Sequence, residues 1–376
     1  MNTEEVKRLA RKIVRDSLKV EPGERVLVDV LGKADDLVEA IVEELYAVPA
    51  IPFLRVMTIE QLKSLLIGCT KEQLNAWVKQ DLYRFKTMEA CINIRSDENI
   101  FELSDIDPER YDLYLKQVAY PIHAAFAAIP KYVILKYPTY GLAQLARMSL
   151  GQFTSRYMES CTMDYSLMAK RAEPLGALLG RTDKIRVVSP GTDLRFSVKD
   201  MPNYFCDGRY NLPDGELFTA PVLDSVEGVI TFNVPTLNLG LTFEHIRLRL
   251  EKGTIVEATC NDTERLRLIL GGDEGASRFG EFGIGLNPYI VQPYNNLLFD
   301  EKMAGSVHFA IGHALEMADN GNRSAVHWDM VLSQLEEHGG GELYFDDVLV
   351  RKNGLFVPEE LQPLNPPGRS LSPESP

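Results

Sequence analysis

Four near-continuous apolar runs in the first third of the chain, VLVDVL, AIPFLRV, ACINIRS and KYVILKYP, alternate with amphipathic helical text. A strand that is apolar on both faces leaves no face for water and belongs inside a sheet covered on both sides. Helices between such strands imply a mostly parallel sheet, because parallel neighbours need a crossover connection. The opening helix sets Val6, Leu9, Ala10, Ile13 and Val14 on one side, and the turn EPGE follows. Residues Asp35 to Tyr46 place Leu37, Ala40, Ile41 and Leu45 on one helical face, and another helical segment is expected around residues 60 to 80. A sheet of this kind can host a nucleotide. The loop after VLVDVL, however, reads GKADD; it lacks G-x-G-x-x-G and puts Asp35 and Asp36 where a phosphate would need free N–H groups, so dinucleotide binding is not expected.

Residues 140 to 180 read as mainly helical. From Ile185 the text changes to strands and turns, KIRVVSPGTDLRFSV, VEGVITFNVP and HIRLRLEKGTIVEATC, in which Ile246, Leu248 and Leu250 alternate with arginines. The expected organisation is therefore an α/β domain with a mostly parallel sheet over residues 1–180 and a strand-rich α+β domain over 181–360. Residues 361–376, within the proline- and serine-rich stretch that begins at Pro358, are expected to form a mobile tail. A chain of 376 residues exceeds what one hydrophobic core usually supports, which agrees with two units.

Composition narrows the function. No run approaches the roughly eighteen apolar residues needed to span a bilayer, and the N-terminus MNTEEVKRLARKIVRD lacks a signal-peptide core, so a cytoplasmic protein without a membrane partner is expected. The five cysteines, Cys69, Cys91, Cys161, Cys206 and Cys260, are scattered and contain no C-x-x-C pair, which fits a reducing compartment and argues against a thiolate metal site. A formal charge of -14, from 54 acidic and 40 basic residues, repels polyphosphate, so nucleic acid is not an expected partner. Neither a G-x-S-x-G elbow nor an H-E-x-x-H helix occurs, which weighs against serine hydrolases and zincins.

Histidine is scarce at six, yet three of the six fall between residues 308 and 327. In NRSAVHWDM, His327 and Asp329 are two apart and point the same way if the segment is extended, offering an imidazole nitrogen and a carboxylate oxygen to one small volume. Glu216, in NLPDGELFTAP, and Glu281, in SRFGEFGIGLNP, sit among glycines and apolar residues, and Glu281 is flanked by Phe279 and Phe282. A carboxylate buried there is costly unless a cation or donor meets it. His308 lies in GSVHFAIGHA, and Glu301 stands seven residues before it. Divalent ions such as zinc, cobalt or manganese take this mixture of carboxylate and imidazole ligands. Each of these residues also has an ordinary structural reading: His308 as a core or surface histidine, Glu216 as a turn carboxylate. His123 and His338 belong to no cluster and are assigned to packing or surface roles.

At these residues the chain resembles the M29, or thermophilic, aminopeptidase family. The resemblance starts at SLKVEPGERVLVDV, runs through SPGTDLRFSV, CDGRYNLPDGELFTAPV, FGEFGIGLNP and DEKMAGSVHFAIG to NRSAVHWDM, and is densest from residue 190 to 330. It implies a metal-dependent aminopeptidase, a homodimer that hydrolyses the N-terminal bond of peptides with a free N-terminus through a metal-activated water, with broad specificity and an apolar preference. It further implies two divalent ions per subunit, held by Glu216, Glu281, His308, His327 and Asp329, with Glu301 as a further ligand or as the residue that moves the proton. Two departures accompany it: Met303 stands five residues before His308, where some members have the extra glutamate, and Leu315 stands where the family tends to have tyrosine. A hydrolase of another amide or ester, and a binding protein whose catalytic site has decayed, are the rival readings. His313, five residues after His308, receives no ligand role from the resemblance.

Overall fold

The four apolar runs of the first third become neighbouring strands of one five-stranded parallel sheet, ordered Ile51–Met57, Arg25–Leu31, Ala90–Arg95, Lys131–Lys136 and Asn211–Leu212. The structure is a computed structural model that describes residues 1–238 and 240–369. It divides into two units, Met1–Met163 with Gly208–Pro213, and Asp164–Asp207 with Asp214–Pro376.

In unit 1 the central strands Arg25–Leu31 and Ala90–Arg95 are buried almost throughout, as continuous apolar text requires. Helix starts are marked in the sequence. Asn2 and Glu5 form a reciprocal capping box at Thr3–Arg11, and Thr58 and Gln61 form another at Ile59–Gly68. The segment expected to be helical around 60 to 80 is two helices, Ile59–Gly68 and Lys71–Lys86. The run AIPFLRV departs from its expected burial. It forms the sheet edge, and Ile51, Phe53, Leu54 and Val56 are 48%, 41%, 52% and 51% exposed. An apolar run states that a strand forms, and its place in the sheet is decided by strand order.

Unit 2 contains an eight-stranded sheet, a five-stranded sheet ordered His327–Ser333, Ser306–Gly312, Phe279–Gly285, Glu216–Thr219 and Tyr204–Cys206, and a short hairpin. The hairpin with alternating arginines is Arg247–Glu251 paired with Thr254–Thr259, its Leu248 and Leu250 buried. The two large sheets meet through aromatic side chains: Phe196 lies 5.0 Å from Phe282 and 5.5 Å from Phe309, both edge-on. Each such pair adds about 0.5–1.5 kcal/mol beyond the area it buries.

Two boundaries differ from the sequence-based expectation. Helix Tyr165–Leu179 clusters with unit 2, so the division falls after Met163 and not near residue 180; the Tyr165 hydroxyl accepts the Asp214 N–H at 2.8 Å, and Met168 packs under Gly215. The expected tail is folded in its first part. Leu361 and Leu364 are buried, and Arg369 pairs with Glu337 at 2.6 Å, while residues 370–376 lie outside the described residues. The two leucines contribute apolar burial that docks this proline-rich stretch.

Candidate metal centre

In an antiparallel sheet, residues directly paired across strands share a face, and so do residues two apart along a strand. Glu281 pairs with Ala310, and Ala310 with Asp329; Gly283 pairs with His308; Gly312 pairs with His327; Gly285 pairs with Glu216. These pairings put Glu216, Glu281, His308, Asp329 and His327 on one face of the five-stranded sheet. The opposite face carries Phe282 and Phe309, which meet the eight-stranded sheet. A bulge between Phe279 and Glu281 turns Phe279 onto the aromatic side, 4.8 Å from Phe309, so that Glu281 can face the other way between two phenylalanines.

The glycines of FGEFGIG have a definite task. A β-carbon on Gly283 would lie 2.0 Å from His308 Nε2, and one on Gly285 would lie 2.2 Å from the Met303 carbonyl. Gly283 is the floor on which the imidazole rests, and only hydrogen leaves it room.

Two groups of donor atoms converge, Glu216 with Glu281 and His308, and Glu281 with His327 and Asp329, each within 4.8 Å. Glu281 belongs to both. His308 Nε2 is 3.2 Å from Glu216 Oε2 and 3.4 Å from Glu281 Oε1. His327 Nε2 is 3.5 Å from Glu281 Oε2 and 3.6 Å from Asp329 Oδ2. Donors about 2 Å from a shared ion at tetrahedral angles stand roughly 3.3 Å apart, so the spacing suits groups facing a common point. Glu216 Oε2 is buried without a hydrogen-bond partner and has only the His308 imidazole facing it, which leaves it available to a cation. The two clusters can therefore coordinate divalent metal ions.

The tautomer of His327 is set by its surroundings. Its Nδ1 is 2.8 Å from the His313 carbonyl oxygen, which only accepts, so Nδ1 carries a proton and Nε2, facing Glu281 and Asp329, is the nitrogen left for a metal. His313 thus contributes its main chain, and its imidazole joins neither cluster. His327 is the exposed member; Glu216, Glu281, His308 and Asp329 are buried.

Electrostatics follow the same plan. Burial pushes Glu281 above the usual carboxylate range, aided by Asp329 and opposed by the two imidazoles. Burial also acts to lower His308, but Glu216 and Glu281 outweigh it and push the imidazole up to about 9; His327 is raised against burial by Asp329 and Glu281. Glu301 is pushed up to about 8 by burial, against the pull of Lys302 and with Asp329 and Glu216 reinforcing the rise.

Of the six residues singled out in the sequence, five lie in the two clusters and Glu301 stands apart from both. Its Oε1 lies 2.5 Å from Lys302 Nζ, which is also 2.7 Å from Glu216 Oε1 and 3.9 Å from Asp214 Oδ1. Lys302 and Asp214 were not anticipated. Lys302 occupies the side of a third convergence, Cys206 with Asp214 and Glu216. The lysine in DEKMAG carries no sequence signal beyond its apolar surroundings, LLF before and MAG after. Leu315 packs against an apolar cluster of Cys206, Phe218, Ala220 and Ala318.

An open-sided ligand row of carboxylates and imidazoles on one sheet face defines a metal-dependent enzyme. Residues 2–356 match the thermophilic metalloprotease family, M29, and the chain belongs to that family, a metallopeptidase. It is 25% identical to aminopeptidase T of Thermus thermophilus over 91% of this chain and 95% of that protein. The solved structure of wild-type AmpT from Thermus thermophilus matches with a TM-score of 0.78 at 23% identity, covering 94% of this chain and 99% of that one. The fold is shared more widely: 2,5-dihydroxypyridine dioxygenase from Pseudomonas putida KT2440 matches with a TM-score of 0.59 at 17% identity, over 96% of this chain and 99% of the other. At these identities the structural likenesses speak to fold alone.

Proposed function

We propose that this protein is a metal-dependent aminopeptidase that releases N-terminal residues from peptides with a free N-terminus, with broad specificity and a preference for apolar residues. The observation that carries the reading is the placement of Glu216, Glu281, His308, His327 and Asp329 on one sheet face in a chain of the M29 family, whose relatives include aminopeptidase T. These five residues would hold the metal, and the summed ligand sets suit two divalent ions of the zinc, cobalt or manganese class. When bound, the ions supply Lewis acidity toward the scissile carbonyl and the attacking water.

The protein's own groups do the rest. Glu281, common to both clusters, would offset charge at each. The His313 carbonyl orients His327 through its Nδ1. Glu301, half-buried and joined to Glu216 through Lys302, is suited to take a proton from water and return it to the leaving amine. Leu315 offers the reacting atoms no hydroxyl.

The exposed apolar edge of unit 1, Ile51, Phe53, Leu54 and Val56, supports a homodimer, because an uncovered apolar sheet edge invites a partner. No described helix is long and apolar enough to cross a membrane, and with the charge of -14 this favours a cytoplasmic protein that leaves nucleic acid alone.

Chelation followed by return of zinc, cobalt or manganese, assayed on matched peptides with free and acetylated N-termini, tests the function. Loss and recovery of hydrolysis confined to the free amine is the expected result. Full activity in metal-free protein defeats the metal mechanism, and equal cleavage of acetylated peptides or esters favours a broader amide or ester hydrolase. Complete inactivity of folded, metal-loaded protein on a broad panel favours the non-catalytic alternative.

A further inference from the structure

We propose that Lys302 is a built-in cation that makes the two ion positions unequal. One ion is held firmly by Glu281, His327 and Asp329, and the other, at Glu216, Glu281 and His308, enters against a resident ammonium. The proposal rests on the metal reading and adds to it a residue that sets ion number.

Lys302 is 1% exposed. Its ammonium reaches two carboxylates at hydrogen-bond distance, 2.7 Å to Glu216 Oε1 and 2.5 Å to Glu301 Oε1, and faces Asp214 Oδ1 at 3.9 Å. A buried lysine is rare unless paired, and this one has two direct partners and a third negative group nearby. The ammonium thus performs at this end the service a metal ion would perform, neutralising carboxylates that the interior cannot otherwise accommodate. Met303, the next residue, is fully buried and offers no donor that would bind a hard or borderline ion.

The other end lacks such a group. Among the described residues, no lysine or arginine pairs with Glu281 or Asp329, whose ion-pair neighbours are the imidazoles of His308 and His327. An imidazole gives up its proton to bind a metal, so an ion there replaces protons and meets no fixed positive charge. An ion bound through Glu216 Oε2 would instead sit across a single carboxylate from Lys302, which holds Oε1. A divalent charge and an ammonium so close in a buried site repel strongly enough to separate the two affinities by on the order of a hundredfold or more.

The test is ion counting on the full chain. Protein stripped by chelator is titrated with zinc or manganese by calorimetry, and its metal content is measured after gel filtration. The wild-type protein is expected to keep one ion and to bind a second at least about a hundredfold more weakly. Lys302→Met, which keeps the length of the side chain and removes its charge, is expected to keep two. Lys302→Gln serves where the methionine variant does not fold, and the wild-type titration stands without either. Two ions bound by the wild type within tenfold of each other overturn the proposal and leave the metal reading intact; so does a folded Lys302 variant that still keeps one. Absence of any bound ion in the wild type rejects the metal reading and the proposal with it.

Discussion

At one end of the ligand row stand His327 and Asp329, with the imidazole exposed and no permanent cation beside the carboxylate; at the other stand Glu216, Glu301 and Asp214, all drawn to the buried ammonium of Lys302. The same chemical groups are present at both ends, carboxylate and imidazole on one sheet face, and Glu281 joins them. What differs is the source of countercharge. The open end depends on a ligand from outside to offset its carboxylates, and the closed end carries part of its own. Ligand identity alone therefore does not fix metal affinity; the neighbours that compete for each carboxylate matter as much.

The largest effect is expected where the two ends meet. Glu281→Gln keeps the shape of the side chain and removes the one negative charge common to both clusters. Metal content should fall at both positions, and kcat/KM should drop by about a thousandfold or more, since the loss of metal polarisation amounts to several kcal/mol. If elemental analysis finds the folded variant still loaded and its rate normal, Glu281 does not join the two ends.

A second variant tests the floor of the closed end. In Gly283→Ala the new methyl falls 2.0 Å from His308 Nε2, a distance that cannot be kept, so the ring must move off its place over the strand. Overpacking of this kind costs about 1–3 kcal/mol in stability. The ion bound through Glu216 and His308 should be lost first, while the His327 end suffers less. Loss of metal at both ends in equal measure would mean that the sheet, and not the imidazole, had failed.

Much of this contrast was legible in the chain. His327 and Asp329 announce a shared face because side chains repeat every second residue on a strand, and Glu281 stands out because a carboxylate among phenylalanines and glycines has no ordinary surface role. Lys302 was not legible. A lysine after two acidic residues, as in DEK, reads as a solvated charge run, and its burial depends on Glu216, 86 residues earlier in the chain. The exposed edge at Ile51–Met57 escaped for a related reason: apolar text gives burial only when strand order supplies a neighbour. The bulge that reconciles Phe279 with Glu281 likewise belongs to strand pairing, which a single segment does not encode.

Stability against pH separates the metal-free and loaded states. His308 is raised from its ordinary 6.5 to about 9 by the carboxylates around it, so in metal-free protein its contribution is fully present below about 6.5 and is lost as pH climbs through 9. Glu301, pushed up to about 8, acts in the same sense, because its buried protonated form is the favoured one. Metal-free protein should therefore weaken toward alkaline pH, by on the order of a few kcal/mol at most. Metal takes the neutral imidazole and the ionised carboxylate, so the stabilisation gained on loading should grow across the same window. Urea unfolding of both forms at a series of pH values gives the two curves. Parallel curves would show that these groups are not the ones the metal displaces protons from.

The smallest effect is expected at His313, and it sharpens the open end. His313 touches the site through its carbonyl oxygen, which receives the His327 Nδ1 proton at 2.8 Å, and the main-chain N–H of His313 is itself fixed to the Val326 carbonyl at 2.6 Å. Both bonds survive truncation of the side chain. His313→Ala should accordingly retain the wild-type metal content and lose no more than about tenfold in rate, near 1.4 kcal/mol. The imidazole Nδ1 is buried without a partner, so removing it sacrifices no hydrogen bond there. Metal content and rate have to be read together on the folded variant, because a drop in both would mean that the His313 side chain, and not its backbone, holds the open end in place.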